Sequence, residues 1–119
     1  MAKARAITIY GIKNCDAMKK ARAWLDSHRI DYTFHDYKTQ GIDRTKLDAW
    51  ARELGWETLL NRAGTTFRKL PEAEKTGLTE QKAIALMVAQ PSMIKRPVLD
   101  IGGKLIAGFK PGSYEKALG

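Results

Sequence analysis

The stretch YGIKNCDAM, residues 10–18, contains the only cysteine of the chain and decides how its first part folds. It follows AITIY, residues 6–10, a short apolar run with β-branched residues that predicts a buried strand. Gly11 is expected to end this strand, and Asn14 is a favourable N-cap, which makes Cys15 the first residue of a helix. One face of that helix is formed by Met18, Ala21, Leu25 and His28, with Trp24 beside them.

A second strand is indicated by IDYTFHDY, residues 30–37, in which side chains alternate between the two faces. A strand, a helix and a strand at this spacing form a right-handed βαβ unit with parallel strands. Towards the other end, PVLDI at 97–101 and KLIA at 104–107 flank a two-residue turn, Gly102–Gly103. A closing helix is expected over residues 111–118. The order βαβ and then ββα predicts an α/β protein with one mixed sheet of four strands.

The middle of the chain is expected to be helical. The apolar face of one helix is formed by Leu47, Trp50, Ala51 and Leu54. Gly55 is expected to end this helix, and residues 56–60 are expected to form a short further one. Thr79 can cap a last helix of the segment. These helices form an insertion of about residues 43–92 in a single domain of residues 1–119.

The composition is that of a globular protein with a basic charge. The net charge of +8 favours anionic partners such as nucleic acid, oxyanions or polycarboxylates; the alternative is a solvated basic surface. No apolar run approaches the ~20 residues of a membrane span, so no membrane partner is expected. The N-terminal stretch MAKARAITIY has too short an apolar segment for a signal peptide. With one cysteine no internal disulfide is possible, and a reducing cytoplasm is the expected location.

Cys15 is the candidate catalytic residue because of its position at a helix start. Backbone N–H groups and the helix dipole favour a negative charge there, and Lys13 is close in sequence. Both effects lower the pKa of a thiol, and the thiolate is the nucleophile. The alternative is a buried, unreactive cysteine. Met18 stands where a CxxC motif has its second cysteine, so any disulfide on Cys15 must be resolved by an outside thiol.

Four segments of the chain resemble a known family. They are YGIKNCDAMKKARAWL at residues 10–25, ELGWETLLNRAGTTFRKL at 53–70, PSMIKRPVL at 91–99 and GFKPGSYEKAL at 108–118. Over almost its whole length, from about Ile7 to Leu118, the sequence resembles the arsenate reductase ArsC/Spx family, most closely its YffB-like members. The resemblance implies a thioredoxin-like fold with a helical insertion.

The resemblance also implies that Cys15 is the active cysteine, which three arginines assist in the arsenate reductases. One of these positions falls on Arg96. The second falls on Asn61, with Arg62 next along, and the third on Lys110. Lysine lacks the planar fork with which arginine grips an oxyanion, and asparagine carries no charge. The sequence therefore fits the YffB-like branch, taken as glutathione-dependent thiol reductases, better than arsenate reduction.

Arg96 precedes Pro97, and the resemblance implies a cis peptide bond between them, beside the active cysteine. Arg96 would then bring its charge near Cys15, and the backbone before Pro97 would pair with an extended substrate such as glutathione. Lys13 and Asn14, which precede Cys15, are further candidate substrate-binding residues. The alternative is an ordinary trans proline at the start of an edge strand.

The basic segment NRAGTTFRK, residues 61–69, has no helical or strand period and is expected to be a loop. Its side chains Thr65, Thr66 and Arg68 are candidate ligands for the carboxylates of glutathione; a solvated connection is the alternative. Metal binding is not expected, because one cysteine and two histidines match no zinc spacing. No bound cofactor is expected, and glutathione would act as a co-substrate.

The predicted function is reduction of a disulfide, or of an oxyanion in the ArsC manner, by the single nucleophilic cysteine. Glutathione is the expected partner, and glutaredoxin is a further one. The alternative is a transcriptional regulator like Spx that binds RNA polymerase without enzymatic activity. The redox switch of Spx-like members uses a CxxC motif, which Met18 excludes here. Nucleic acid is the less favoured partner.

Overall fold

The computed structural model of the chain describes residues 6–118. The first residues, MAKAR, on which the signal-peptide expectation partly depends, lie outside the described residues. Along the described part the elements are β1 (Ile7–Gly11), α1 (Asp16–Ser27), β2 (Thr33–Asp36), α2 (Tyr37–Gln40), α3 (Arg44–Leu54), α4 (Trp56–Leu59), α5 (Thr65–Arg68), α6 (Glu72–Lys75), α7 (Glu80–Ala89), a 3-10 helix (Pro91–Met93), β3 (Val98–Ile101), β4 (Lys104–Ala107) and α8 (Pro111–Leu118). Among these helices none is long and apolar enough to cross a membrane. The chain divides into two compact units, residues 6–36 with 96–118 and residues 37–95.

The first unit contains a four-stranded sheet in the order β2-β1-β3-β4. β1 pairs in parallel with β2, whereas β3 is antiparallel to both β1 and β4. The predicted α/β class and the mixed sheet of four strands are confirmed. The C-terminal hairpin also turns where predicted, and its two central residues, Gly102 and Gly103, have positive φ values of 59° and 105°. Such values favour glycine, which explains the turn at this pair.

One face of this sheet is covered by α1 and α8. The core cluster on that face consists of Ile9, Met18, Ala21, Leu25, Leu99, Ile101 and Tyr114. Ile9 and Leu99 are register partners in β1 and β3, so both side chains point towards the helices. The three residues from α1 belong to the predicted helix face, whereas His28, also predicted on that face, is exposed at the end of the helix. Burial of this apolar surface, at about 25 cal/mol per Å², holds α1 against the sheet.

The second unit is helical, and side-chain caps mark two of its helices. The Oδ1 atom of Asp43 accepts a hydrogen bond of 2.8 Å from the N–H of Lys46 at the start of α3. Gly55, with a φ of 88°, ends the same helix. At the start of α7, the hydroxyl oxygen of Thr79 accepts a hydrogen bond of 3.3 Å from the N–H of Lys82. The predictions for Gly55 and Thr79 are confirmed.

The second strand is shorter than the sequence pattern predicts. β2 is limited to Thr33–Asp36, whereas alternation extends over residues 30–37. Tyr37 begins α2 instead, and its side chain is buried in the second unit. Alternation cannot distinguish a strand residue from the first residue of the next element, because both have one buried side.

The segment predicted to be a loop contains one helical turn. α5 occupies part of residues 61–69, and Phe67 anchors it because its side chain is buried. A single turn is too short to give a helical period in the sequence. The second unit, Tyr37–Lys95, also extends beyond the predicted insertion of about 43–92. That the two units form a single domain stays a prediction.

Gly11 lies at the end of β1, where Met18 packs beneath the following turn. A Cβ atom at position 11 would overlap the Sδ atom of Met18 and would lie 2.9 Å from its Cγ atom. Met18 is fully buried, so its side chain has little room to move. Glycine is therefore needed here because of close packing.

We predict that Gly11→Ala lowers the free energy of unfolding by about 1–3 kcal/mol, because the added methyl group overpacks the space occupied by Met18. Urea denaturation followed by circular dichroism measures this change. Gly112→Ala is the matched control, because Gly112 lies in α8 with open space around its Cα atom and is expected to lose no stability. Equal stability of Gly11→Ala and the wild type would contradict the packing requirement.

Candidate active site

Cys15 lies between β1 and α1, and it is itself the N-cap of the helix. Its backbone is extended, with φ −111° and ψ 132°, and its carbonyl oxygen accepts a hydrogen bond of 2.9 Å from the N–H of Lys19. The prediction that Asn14 is the N-cap and Cys15 the first helical residue is wrong by one position. The sulfur atom consequently occupies the position from which a serine or aspartate side chain would cap the helix.

The thiol of Cys15 is half-buried and its environment favours the thiolate. Burial raises the pKa of Cys15, but the backbone N–H of Met18, the hydrogen bond from Arg96, the N–H of Ala17 and the charge of Arg96 lower it. The balance holds the pKa below the ordinary value of a cysteine. The Cys15 side chain itself makes no capping hydrogen bond at this helix start. The N–H groups of Ala17 and Met18 thus remain oriented towards a negative charge on the sulfur.

Arg96 reaches Cys15 because β3 runs antiparallel to β1. Tyr10, near the end of β1, is paired with Val98, the first residue of β3. The chain that leaves β1 and the chain that enters β3 therefore meet at the same edge of the sheet. Arg96 immediately precedes Pro97 there, and the peptide bond between them is cis, as the resemblance implies. The structure thus brings together Cys15, Arg96 and Pro97 in the first unit.

The other candidate residues of the first unit lie on the surface. Lys13 and Asn14 are exposed in the turn before Cys15, and Lys110 is exposed before α8. The carbonyl oxygen of Lys110 accepts hydrogen bonds from the N–H groups of Ser113 and Tyr114, at 3.0 and 3.2 Å, and so begins α8. Within residues 6–118, the side chains of Lys13, Asn14 and Lys110 form no hydrogen bond or ion pair, which leaves them available to a ligand.

Four candidate residues belong to the second unit: Arg62, Thr65, Thr66 and Arg68. Arg62 is exposed, and its guanidinium carbon lies 5.7 Å from the ring centroid of Trp56. The hydroxyl oxygens of Thr66 and Ser92 are 2.9 Å apart. Arg68 is exposed, and its carbonyl oxygen accepts a hydrogen bond of 2.8 Å from Lys75 Nζ. Their role in substrate binding stays a prediction.

The two N–H groups that act on the sulfur, those of Ala17 and Met18, could not be identified from the sequence. Ala17 and Met18 contribute through their backbone, so their side chains give no signal. Because Cys15 is the N-cap, the effect of the helix N-terminus on its sulfur comes from two specific donors, the N–H groups of Ala17 and Met18. Among residues 6–118 no group of three or more His, Cys, Asp or Glu side chains could hold a metal ion.

We predict that Arg96→Gln raises the pKa of Cys15, because it removes both the charge and the charged donor that stabilise the thiolate. The rate of Cys15 alkylation by iodoacetamide, measured against pH, reports this pKa. At neutral pH the variant is expected to react more slowly than the wild type, since a smaller fraction of the thiol is ionised.

Lys116→Gln provides the control for this experiment. It removes the same charge from an exposed position of α8 in the same unit and is expected to keep the pH profile of the wild type. An unchanged profile for Arg96→Gln would show that the guanidinium does not act on the thiol.

The chain is similar to several known proteins. The solved structure of a YffB protein is 63% identical to the chain, covers 96% of it and 100% of its own chain, and superposes with a TM-score of 0.93. The solution structure of an arsenate reductase (ArsC) related protein from Brucella melitensis is 59% identical, with coverages of 98% and 97% and a TM-score of 0.78. The global transcriptional regulator Spx from Streptococcus pyogenes is 28% identical over 105 residues, which are 87% of this chain and 78% of the regulator.

The family model described as the ArsC family matches residues 10–117, almost the whole chain. The matched region includes Cys15, Arg96 and Pro97 as well as the helical second unit. The fold is the thioredoxin-like α/β fold that the resemblance implies. The chain belongs to the ArsC family.

Proposed function

We propose that this protein is a thiol reductase in which Cys15 is the nucleophile and glutathione is the reducing co-substrate. The observation that supports this proposal best is the environment of Cys15, whose pKa is lowered by Arg96 and by the helix N–H groups. A thiolate that is half-exposed at the start of a helix can attack a substrate from solvent. Glutathione is the abundant thiol of reducing compartments, so we propose a cytoplasmic location.

In the first step the thiolate of Cys15 attacks one sulfur atom of a substrate disulfide. A bond forms between the Cys15 sulfur and that atom while the substrate S–S bond breaks. The second substrate sulfur leaves as a thiolate and takes a proton from solvent. Arg96 stabilises Cys15 as the attacking anion, and the N–H groups of Ala17 and Met18 do the same from the helix.

In the second step a glutathione thiolate attacks the mixed disulfide and releases Cys15. The chain has no other cysteine, and position 18 is a buried methionine, so the second thiol must come from outside. If the group left on Cys15 is itself glutathionyl, the product is glutathione disulfide. One glutathione thiol is then consumed for each substrate thiol released, and the glutathionyl group of the substrate supplies the other half of the glutathione disulfide. If the group on Cys15 is not glutathionyl, the product is a mixed disulfide with glutathione, which a second glutathione thiolate reduces to give glutathione disulfide. Glutaredoxin is a further candidate for this resolving role.

The same thiolate could attack an oxyanion, but the cations needed to hold one are altered. Of the three positions that carry arginine in the arsenate reductases, the chain keeps only Arg96 in register. Asn61 has no charge, and Lys110 offers a point charge in place of a planar fork. We therefore propose a disulfide as the substrate in preference to arsenate.

Lys13 and Asn14 are proposed as substrate-binding residues next to Cys15. Arg62, Thr65, Thr66 and Arg68 are proposed as anion-binding residues of the second unit.

We predict that Cys15→Ser reduces glutathione-dependent disulfide turnover to the uncatalysed rate, because serine is not ionised at neutral pH. The assay is reduction of a small glutathione mixed disulfide coupled to consumption of NADPH by glutathione reductase. Mass spectrometry of the wild type after mixing with glutathione disulfide is expected to detect one glutathionyl group on Cys15, removable by added glutathione. Turnover that persists in Cys15→Ser, or a wild type that never forms the adduct, would rule the mechanism out.

A non-enzymatic regulator is the second candidate function. It is supported by the match to Spx from Streptococcus pyogenes over most of the chain. We predict that purified bacterial RNA polymerase is not retained by immobilised wild-type protein, nor by Cys15→Ser. Retention by both forms at physiological salt, together with no disulfide turnover, would favour the regulator.

A further inference from the structure

The second unit contains an open surface cavity whose lining includes Thr65 and Thr66, two of the residues proposed above to bind anions, and in which Thr65, Lys69 and Gln90 are exposed. Its volume is about 280 Å³, and it is lined by Thr65, Thr66, Lys69, Leu70 and Gln90. The first four come from α5 and the residues that follow it, and Gln90 comes from the end of α7. Ligand pockets for drug-sized molecules are roughly 300–1,000 Å³, so this cavity suits a smaller molecule.

The lining is rich in hydrogen-bond donors and contains no carboxylate. Within the described part of the chain, the side chains of Thr65, Lys69 and Gln90 make no hydrogen bond or ion pair. Glu72, an acidic residue three positions after Lys69, pairs with Lys75 instead, at 3.8 Å between Oε1 and Nζ. The positive charge of Lys69 is therefore not neutralised by this acid and is available to an anion.

The kinds of group in the lining indicate the chemistry of the ligand. The ammonium group of Lys69 and the hydroxyl of Thr65 are donors that suit a carboxylate. The side-chain amide of Gln90 can donate to and accept from a second amide. Thr66 shares a hydrogen bond with Ser92, at 2.9 Å between their hydroxyl oxygens, and this bond fixes the side chain of Thr66 in one wall of the cavity. Leu70 adds an apolar surface.

From this combination we propose that the cavity binds a small molecule with a carboxylate next to an amide, as at the carboxyl end of a peptide. The proposal rests on the proposed function, in which Thr65 and Thr66 already bind an anion, and deepens it by adding Lys69, Gln90 and an amide of the ligand. It needs no part of the Cys15 chemistry. The glycyl end of glutathione is one example of such a group. Lys69 and Gln90, which no sequence pattern indicates, are its distinguishing residues, whereas the predicted ligand Arg68 does not line the cavity.

The test is an NMR titration of ¹⁵N-labelled Cys15→Ser protein with N-acetylglycine, which carries the carboxylate and the amide but no sulfur. Saturable shifts are expected at the backbone amides of the five lining residues. N-acetylglycinamide, which lacks the charge, is expected to bind about tenfold more weakly or worse. Lys69→Gln in the same background is expected to weaken N-acetylglycine by a similar factor. Lys82→Gln, which removes the same charge from exposed α7, is expected to leave its affinity unchanged.

Several outcomes would overturn the proposal. These are shifts that do not saturate or that lie elsewhere, equal binding of the acid and the amide, and equal effects of the two lysine substitutions. Tighter binding of inorganic phosphate at the same residues would show that the cavity is a general anion site and not one specific for a carboxylate beside an amide. Because the probe has no sulfur and Cys15 is absent, failure here is separate from failure of the thiol mechanism, which the alkylation and adduct experiments test.

Discussion

The antiparallel pairing of β1 with β3 is the constraint on which the candidate site depends. It sets the exit of β1, which leads to Cys15, against the entry of β3, which Arg96 precedes. Two residues far apart in sequence thereby form one electrostatic unit. The pairing is fixed on the sheet face that packs against α1 and α8, where Ile9 and Leu99 are both buried. A slip of one strand by one residue would turn its core side chains to the other face. Core packing and the proximity of Arg96 to Cys15 are in this way set by one strand register.

Much of this fold could be predicted because its signals are local. The hairpin at Gly102–Gly103 and the ends of α3 and α7 each depend on residues within a few positions, and each is where the sequence indicates. The exceptions are short elements whose conformation is decided by packing against other parts of the chain. Tyr37 leaves the strand pattern because it is buried in the helical unit, and α5 forms one turn around buried Phe67. No period in the sequence can report a single turn whose stability comes from packing.

The residues of the candidate site could be predicted from the sequence, whereas their arrangement could not. The position of Cys15 followed from the strand-to-helix pattern, and Arg96 and Pro97 followed from the family resemblance. The contact between Arg96 and Cys15 could not be derived from their spacing in the sequence, because it arises from the pairing of β1 with β3. The distinction between N-cap and first helical residue also escaped the sequence, since Asn14 is the better capping residue by propensity. The structure gives that position to Cys15, and the difference decides which two N–H groups its sulfur faces.

The packing of Met18 against Gly11 has a consequence for how the chemistry of this protein can change. A second cysteine at position 18 would complete a CxxC motif and provide a resolving thiol within the chain. Its side chain would be two heavy atoms shorter than methionine, so a void would open under the turn that carries Cys15, at a cost of about 1–3 kcal/mol. A dithiol mechanism would therefore require repacking of the core together with the new sulfur atom. The interior of the molecule is packed for a methionine at position 18 and not for a second cysteine.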